Sequence, residues 1–306
     1  MNLLFLALLS VFLYTLYIKS FRSIKQYERE EGLESHKKKT GTITMGGIIF
    51  VLVPLFFIFY DSKTINIAIT IFLYGVLGFI DDILIVIKKN NNGIPAIIKL
   101  ILQIIIAGIS FALYLDTDLN TSISLFNYRI DIKWIFGLLI LFLLTSSTNA
   151  FNITDGVDGL CSGLSLLLSL AFLYIAYQKK EYTICYMIVC IMIPLFIFWC
   201  FNYPKAFLFM GDTGSLFLGA FYAMLAIYLD ALIPFIIMAG LFVFETVSVI
   251  LQVYYYKKTN GKRLFKMAPF HHHLEASGFK EIYVDLLFYL IQIILIAITI
   301  FFFDII

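Results

Sequence analysis

Within Asn149-Ala150-Phe151-Asn152-Ile153-Thr154-Asp155-Gly156-Val157-Asp158-Gly159, two carboxamides, two carboxylates and two glycines share eleven residues. Asn149, Asn152, Asp155 and Asp158 recur every three residues, so along a helical or near-helical path they drift slowly round one face and converge on one ligand. Oxygen donors grouped in this way suit a hard divalent cation and the phosphate it carries. The plainer reading is a short solvated turn between two helices, for which Asp-Gly supplies the turn chemistry.

Further polar clusters interrupt other apolar stretches. Asp81-Asp82 close an uncharged run that begins at Ile65; carboxylates at a helix C-terminus oppose the macrodipole, which argues against an incidental cap. Lys88 and Lys89 follow, and Lys99 lies inside the next apolar run, where the alternative is a snorkelling side chain. Phe209-Met210-Gly211-Asp212-Thr213-Gly214-Ser215 opens another helix. Asp212 is there either an N-cap or a carboxylate aimed, with free amides, at a phosphate–metal complex. Glu245, Ser248 and Gln252 share one helical face; an ionisable residue inside a span is costly and marks function by default, with a buried interhelical hydrogen bond as the alternative. His271-His272-His273 project in different directions, so one metal does not take all three, and they suit hydrogen bonding or cationic contact with a phosphorylated ligand. Near the start, Lys37-Lys38-Lys39-Thr40-Gly41-Thr42-Ile43-Thr44-Met45-Gly46-Gly47 joins lysines and hydroxyls to glycines that admit close backbone approach, against the alternative of a solvated basic loop.

The elements that must position these groups are membrane helices. The chain is 61% hydrophobic and 14% charged with a mean hydropathy of +0.96, far from the roughly 25% charged residues of a soluble domain. The predicted fold class is all-α and polytopic, one integral-membrane domain over 1–306, with ten spans near 2–18, 46–60, 65–87, 95–115, 132–149, 159–177, 182–201, 213–229, 231–255 and 284–304. Met1 to Tyr17 has no basic leader and reads as a retained helix. With the N-terminus outside, 17 of the 22 lysines and arginines fall in inner segments and 5 in outer ones. Both termini are therefore expected outside. Under that topology Asp81, Asp82, Asp155, Asp158 and Asp212 all fall at inner helix ends, on the cytoplasmic face, with Lys39, Lys99 and the histidines. The polar loop from Asp116 to Asp131 falls outside, and four cysteines without a CxxC pair read as small core residues. Acids and bases meeting at one membrane face describe phosphoryl transfer between a soluble anionic substrate and a membrane-bound one. A secondary transporter would instead place its acids near the midplane of inverted repeats, and a lipid-binding scaffold would not need convergent carboxylates. Nothing calls for a nucleic acid.

Asp81-Asp82, Asn149 to Leu160, Phe209 to Ser215, Glu245 to Gln252 and Met267 to Glu275 together resemble the polyprenyl-phosphate N-acetylhexosamine-1-phosphate transferases. The Met-Ala-Pro-Phe-His-His-His-Leu-Glu run and the Gly-Thr-Ile-Thr-Met-Gly-Gly loop are similar to the branch acting on UDP-MurNAc-pentapeptide, and the likeness extends from about Ser35 to the last helix. It implies transfer of phospho-MurNAc-pentapeptide to undecaprenyl phosphate in a bacterial cytoplasmic membrane, giving lipid I and UMP. It implies Mg2+ with Asp212 as ligand, Asp81 or Asp82 near the lipid phosphate, and catalytic parts for Lys99 and His272. Lys39, Thr42, Asn149, Asn152, Asp155, Asp158, Asn202, Phe209, Gly211, Ser215, Gln252, His271 and His273 are the implied substrate contacts, and a homodimer is left open. Two positions depart from the family pattern. Ile85 stands where a lysine often follows the acidic pair, so that role passes to Lys88 or is lost, and Ile43 replaces a usual proline. A related transferase acting on UDP-N-acetylglucosamine is the nearest rival, but that branch usually breaks the histidine run.

Overall fold

The computed structural model describes residues 2–20, 41–89, 93–117, 121–125 and 128–303. In lipid every backbone N–H and C=O has to be satisfied within the chain, so apolar runs become helices. In order these are α1 (Leu3–Ser20), α2 (Ile48–Val51) continued by a 3-10 segment (Val53–Phe57), α3 (Ser62–Lys88), α4 (Ala96–Leu115), α5 (Ile135–Thr154), α6 (Leu160–Gln178), α7 (Tyr182–Asn202), α8 (Gly211–Tyr228), α9 (Leu232–Met238), α10 (Gly240–Lys258), α11 (Phe270–Glu275) and α12 (Glu281–Phe302). Among the described residues seven helices, α1, α3 to α7 and α12, are long and apolar enough to cross a membrane. An eighth crossing is made if α9 and α10, which meet at a 67° bend, count as one. The run at 46–60 is only the short α2 and its 3-10 extension.

The all-α expectation holds, with one small addition. Part of the polar 116–131 loop forms an antiparallel hairpin, β1 (Ser122–Leu125) with β2 (Tyr128–Asp131), pairing Ser122 with Asp131 and Ile123 with Ile130. It is anchored to the end of α8 by Asp230, whose carboxylate accepts from the Ser124 N–H at 3.3 Å and from the Ser124 hydroxyl. The four cysteines are free, as the sequence suggests.

Helix α8 is the axis of the fold. Every residue from Thr213 to Tyr228 is buried, with α3 and α5 packed along it. Two glycines allow this closeness: a Cβ on Gly219 would lie 2.6 Å from the Thr148 Cα of α5, and one on Gly78 of α3 would overlap the backbone of Asp212. α6 and α7 pack on each other, α1 on α7 and α12 on α6. The segment before α8 is stitched to the glycine loop by an isolated parallel bridge between Ile43 and Leu208. Phe209 N–H donates to Ile43 C=O at 2.8 Å, Gly46 N–H to Phe209 C=O at 2.8 Å, and Gly47 N–H to Met210 C=O at 3.0 Å. Ile43, the proline replacement, is thus held by pairing with a neighbouring segment rather than by a ring.

Asp81 and Asp82 are not at a helix end. Helix α3 continues to Lys88 and is closed by Lys89 in the left-handed region at φ 52°. The macrodipole argument therefore does not apply to the pair, and other partners hold it.

Candidate active site

Both members of the pair are buried, and each turns to a different neighbour. Asp82 reaches the start of α8, where the first N–H groups of a helix lack intrahelical partners. Its carboxylate accepts from Asp212 N–H at 3.0 Å, Thr213 N–H at 2.9 Å and the Thr213 hydroxyl at 2.6 Å. It caps α8 from outside that helix, where the positive dipole end favours an anion. Asp81 accepts from the Ile94 N–H and lies 3.2 Å from Lys99 Nζ. Lys99, from α4, also pairs directly with Asp212. The other Asp212 oxygen accepts from Asn152 Nδ2 at 2.6 Å, and the same amide reaches Ser215 Oγ at 3.0 Å. Ser215 Oγ donates to Gly211 C=O at 3.2 Å. Four helices thus bring Asp81, Asp82, Lys99, Asn152, Asp212 and Ser215 into one cluster.

Asp155 follows the last residue of α5. Burial first, then repulsion from Asp212, Asp82 and Asp158, push its carboxyl up to about 8. Asp158 accepts from the Ala206 N–H at 2.9 Å and ties the turn to the segment leading into α8. The histidine helix α11 lies over the same turn: a Cβ on Gly156 would overlap His271 Nε2 and lie 3.2 Å from His272 Nε2. His272 Nδ1 is 2.7 Å from Glu275 Oε2, and His273 Nδ1 accepts from the Lys266 N–H at 3.1 Å while its ring packs on Phe265 and Phe270. Contrary to the expectation that all three project apart, the rings of His271 and His272 pack edge-to-face with centroids 4.1 Å apart and both turn Nε2 to Gly156, and only His273 turns away.

Three amides expected to touch substrate also hold protein partners. Asn149 donates to Gln103 Oε1 and to Thr145 C=O, both at 2.8 Å. Asn202 accepts from Gly159 N–H at 2.7 Å and donates to Leu208 C=O at 2.9 Å. Gln252 accepts from the N–H groups of Leu264 and Phe265 and donates to Phe265 C=O at 3.1 Å. Their polar atoms join backbone segments that carry the site. Thr42, Phe209 and Gly211 sit on the stitched loop and helix start described above. Lys39 lies outside the described residues. Gln103 escaped the sequence reading although its signal was present, a lone amide in an otherwise apolar run four residues after Lys99. It is buried in α4, with its backbone carbonyl accepting from Tyr74 OH at 2.8 Å.

A cluster of carboxylates sharing one lysine among helices apolar enough to cross a membrane suits transferase chemistry on charged groups, and the comparison with known families gives that class. The model of the glycosyl transferase family 4 matches residues 64–230, which spans α3 to α8 and every cluster residue. Relatives cover more of the chain. The phospho-N-acetylmuramoyl-pentapeptide-transferase of Bacillus licheniformis is 40% identical over 286 residues, 90% of this chain and 88% of its own. Those of Bacillus subtilis and Geobacillus kaustophilus are 41% and 38% identical over the same shares. The chain belongs to the phospho-N-acetylmuramoyl-pentapeptide-transferase family.

Proposed function

We propose that the chain transfers phospho-MurNAc-pentapeptide from UDP-MurNAc-pentapeptide to undecaprenyl phosphate, giving lipid I and UMP in peptidoglycan synthesis at a bacterial cytoplasmic membrane. The observation that carries this reading is the meeting of Asp81 and Asp212, from two helices, on the single ammonium of Lys99. Two carboxylates already aimed at one cationic point supply the hard oxygen donors that magnesium takes. Among the described residues no group of three His, Cys, Asp or Glu could hold a metal alone, which suits an ion that keeps water and substrate phosphate as its other ligands. Asp212, with Asp81, would hold magnesium, whose contribution when bound is to offset charge on the diphosphate.

The chain's own residues set the geometry. Asp82 fixes the start of α8 and so the place of Asp212; Asn152 fixes the rotamer of Asp212; Lys99 balances both carboxylates. Asp155 stands beside the cluster, and His272 offers Nε2 at the same turn. An oxygen of the lipid phosphate attacks the β-phosphorus while the bond to the UMP oxygen breaks. Asp81 orients the lipid phosphate, which is already an anionic nucleophile, so a covalent aspartyl intermediate would add no nucleophilicity. Lys88 Nζ, 3.4 Å from Gly93 C=O beside Asp81, is placed to take the part that Ile85 vacates.

Two experiments test this. Purified protein supplied with both substrates should release UMP and form lipid I. Rigorously delipidated protein should not exchange labelled UMP into the UDP-sugar, and lipid-independent exchange abolished by Asp81→Asn would replace the direct route with a covalent one. The ten-span topology with both termini outside predicts sidedness as well. In a cysteine-free background, a cysteine at Asn260 should be shielded from an impermeant outside reagent and one at Lys133 should react. Labelling of Asn260→Cys from outside would invert the topology and move the site off the cytoplasmic face.

A further inference from the structure

Glu245 is the ionisable residue of α10 that the reaction above does not use, and it is fully buried. One carboxylate oxygen accepts from Phe270 N–H at 2.7 Å and the other from His271 N–H at 3.1 Å, so it satisfies the first N–H groups of α11. The same carboxylate lies 3.2 Å from His271 Nδ1, with both side chains completely excluded from solvent. Neither ring nitrogen of His271 has a hydrogen-bond partner of good geometry among the described residues. An imidazole lone pair on Nδ1 would face carboxylate lone pairs at that distance in a dry site, which is strongly repulsive, so Nδ1 carries the proton. Nε2 is then the nitrogen turned towards Gly156, which is itself exposed, while the ring of His272 packs edge-to-face on that of His271 with centroids 4.1 Å apart. His273 offers a contrast inside the same helix: its Nδ1 accepts a backbone N–H from Lys266, so its proton is on Nε2.

We infer that Glu245 is a positioning residue that acts through His271, holding α11 over the Asp155–Gly156 turn and fixing the proton on Nδ1 so that Nε2 is the atom presented to the phosphorylated substrate. A buried nitrogen left without a partner costs stability, and a substrate phosphate that displaces the Gly156 turn packed on Nε2 would supply the missing partner, with Nε2 taking a proton admitted by that displacement to form an imidazolium between two anions. The catalytic half of this inference rests on the transfer reaction proposed above; the tautomer half does not.

The test uses Glu245→Gln, which keeps the size of the side chain and one oxygen for the α11 N–H groups but turns an NH2 towards Nδ1. Nitrogen-15 histidine spectra of the whole protein in detergent, assigned by single His→Asn variants, should show the proton on Nδ1 for His271 and on Nε2 for His273. In Glu245→Gln the His271 pattern should switch while that of His273 stays. The parent showing His271 protonated on Nε2 alone would overturn the proposal before any variant is made. In activity, Glu245→Gln should lower kcat/KM by ~10- to 100-fold, the range seen when the partner that orients a functional histidine is removed. In a His271→Asn background the same change should cost less than about two-fold, because two residues acting as one unit are not additive. Losses that multiply would make Glu245 a helix cap only. Should the parent prove inactive with both substrates, the proposed function falls and the tautomer result stands on its own.

Discussion

Asp212→Asn is expected to lower turnover by about a thousand-fold or more while leaving the protein folded, since several kcal/mol of charge stabilisation are at stake. The variant keeps the size of the side chain and an oxygen for Asn152, so the start of α8 should be undisturbed. What it loses is the negative charge that faces Lys99, leaving that lysine with Asp81 alone at 3.2 Å and an amide where a hard cation needs an anion. Thermal unfolding in detergent should stay close to that of the parent, and added magnesium should not restore turnover. Activity within a few-fold of the parent at saturating magnesium would reduce Asp212 to a helix-start residue.

Asp82 should fail differently. Its three hydrogen bonds all go to the first residues of α8, and bonds to a charged acceptor contribute about 1.5–3 kcal/mol each. Asp82→Ala should therefore reduce both activity, by at least about a hundred-fold, and the midpoint of thermal unfolding, because the N–H groups of Asp212 and Thr213 are left buried without partners. Asp82→Asn, which retains one acceptor oxygen, should recover part of the stability and part of the activity in step. If Asp82 moved protons instead, Asn and Ala would be equally inactive and both would unfold at the parental temperature. The adjacent acids are thus separable: Asp81 belongs to the lysine, Asp82 to the helix that carries Asp212.

Much of this was legible in the residues alone. Polar groups inside apolar runs are costly, so Asp81, Asp82, Lys99, Asp212 and Glu245 announced themselves, and the three-residue spacing from Asn149 to Asp158 marked a shared face. What spacing does not contain is the identity of the opposing surface. Asn149 and Asn152 are one turn apart, yet α4 presents Gln103 to the first while α8 presents Asp212 to the second. For Asn202 and Gln252 the polarity was evident, whereas the backbone segments they also join were not. The expected span of 65–87 matches α3, but the placing of Asp81 and Asp82 at its C-terminus has a similar origin: charges after a long apolar run look like a limit, whereas Lys99 and the α8 amides meet both carboxylates inside the protein and the helix continues six residues to Lys88. The bend between α9 and α10 left no local signal that a period count could detect.

The burial of α8 on every side bears on how the molecule is made. A helix that never touches lipid is under no pressure to be apolar, and α8 is not among the segments apolar enough to cross a bilayer by themselves. Its first turn carries Asp212, Thr213 and Ser215, so during synthesis it would enter the membrane only alongside α3 and α5, whose carboxylate and amide receive that turn. Biogenesis and site assembly are then coupled: weakening the contact between Asp82 and the start of α8, as in Asp82→Ala, should lower the yield of inserted protein as well as the activity of the molecules that do insert.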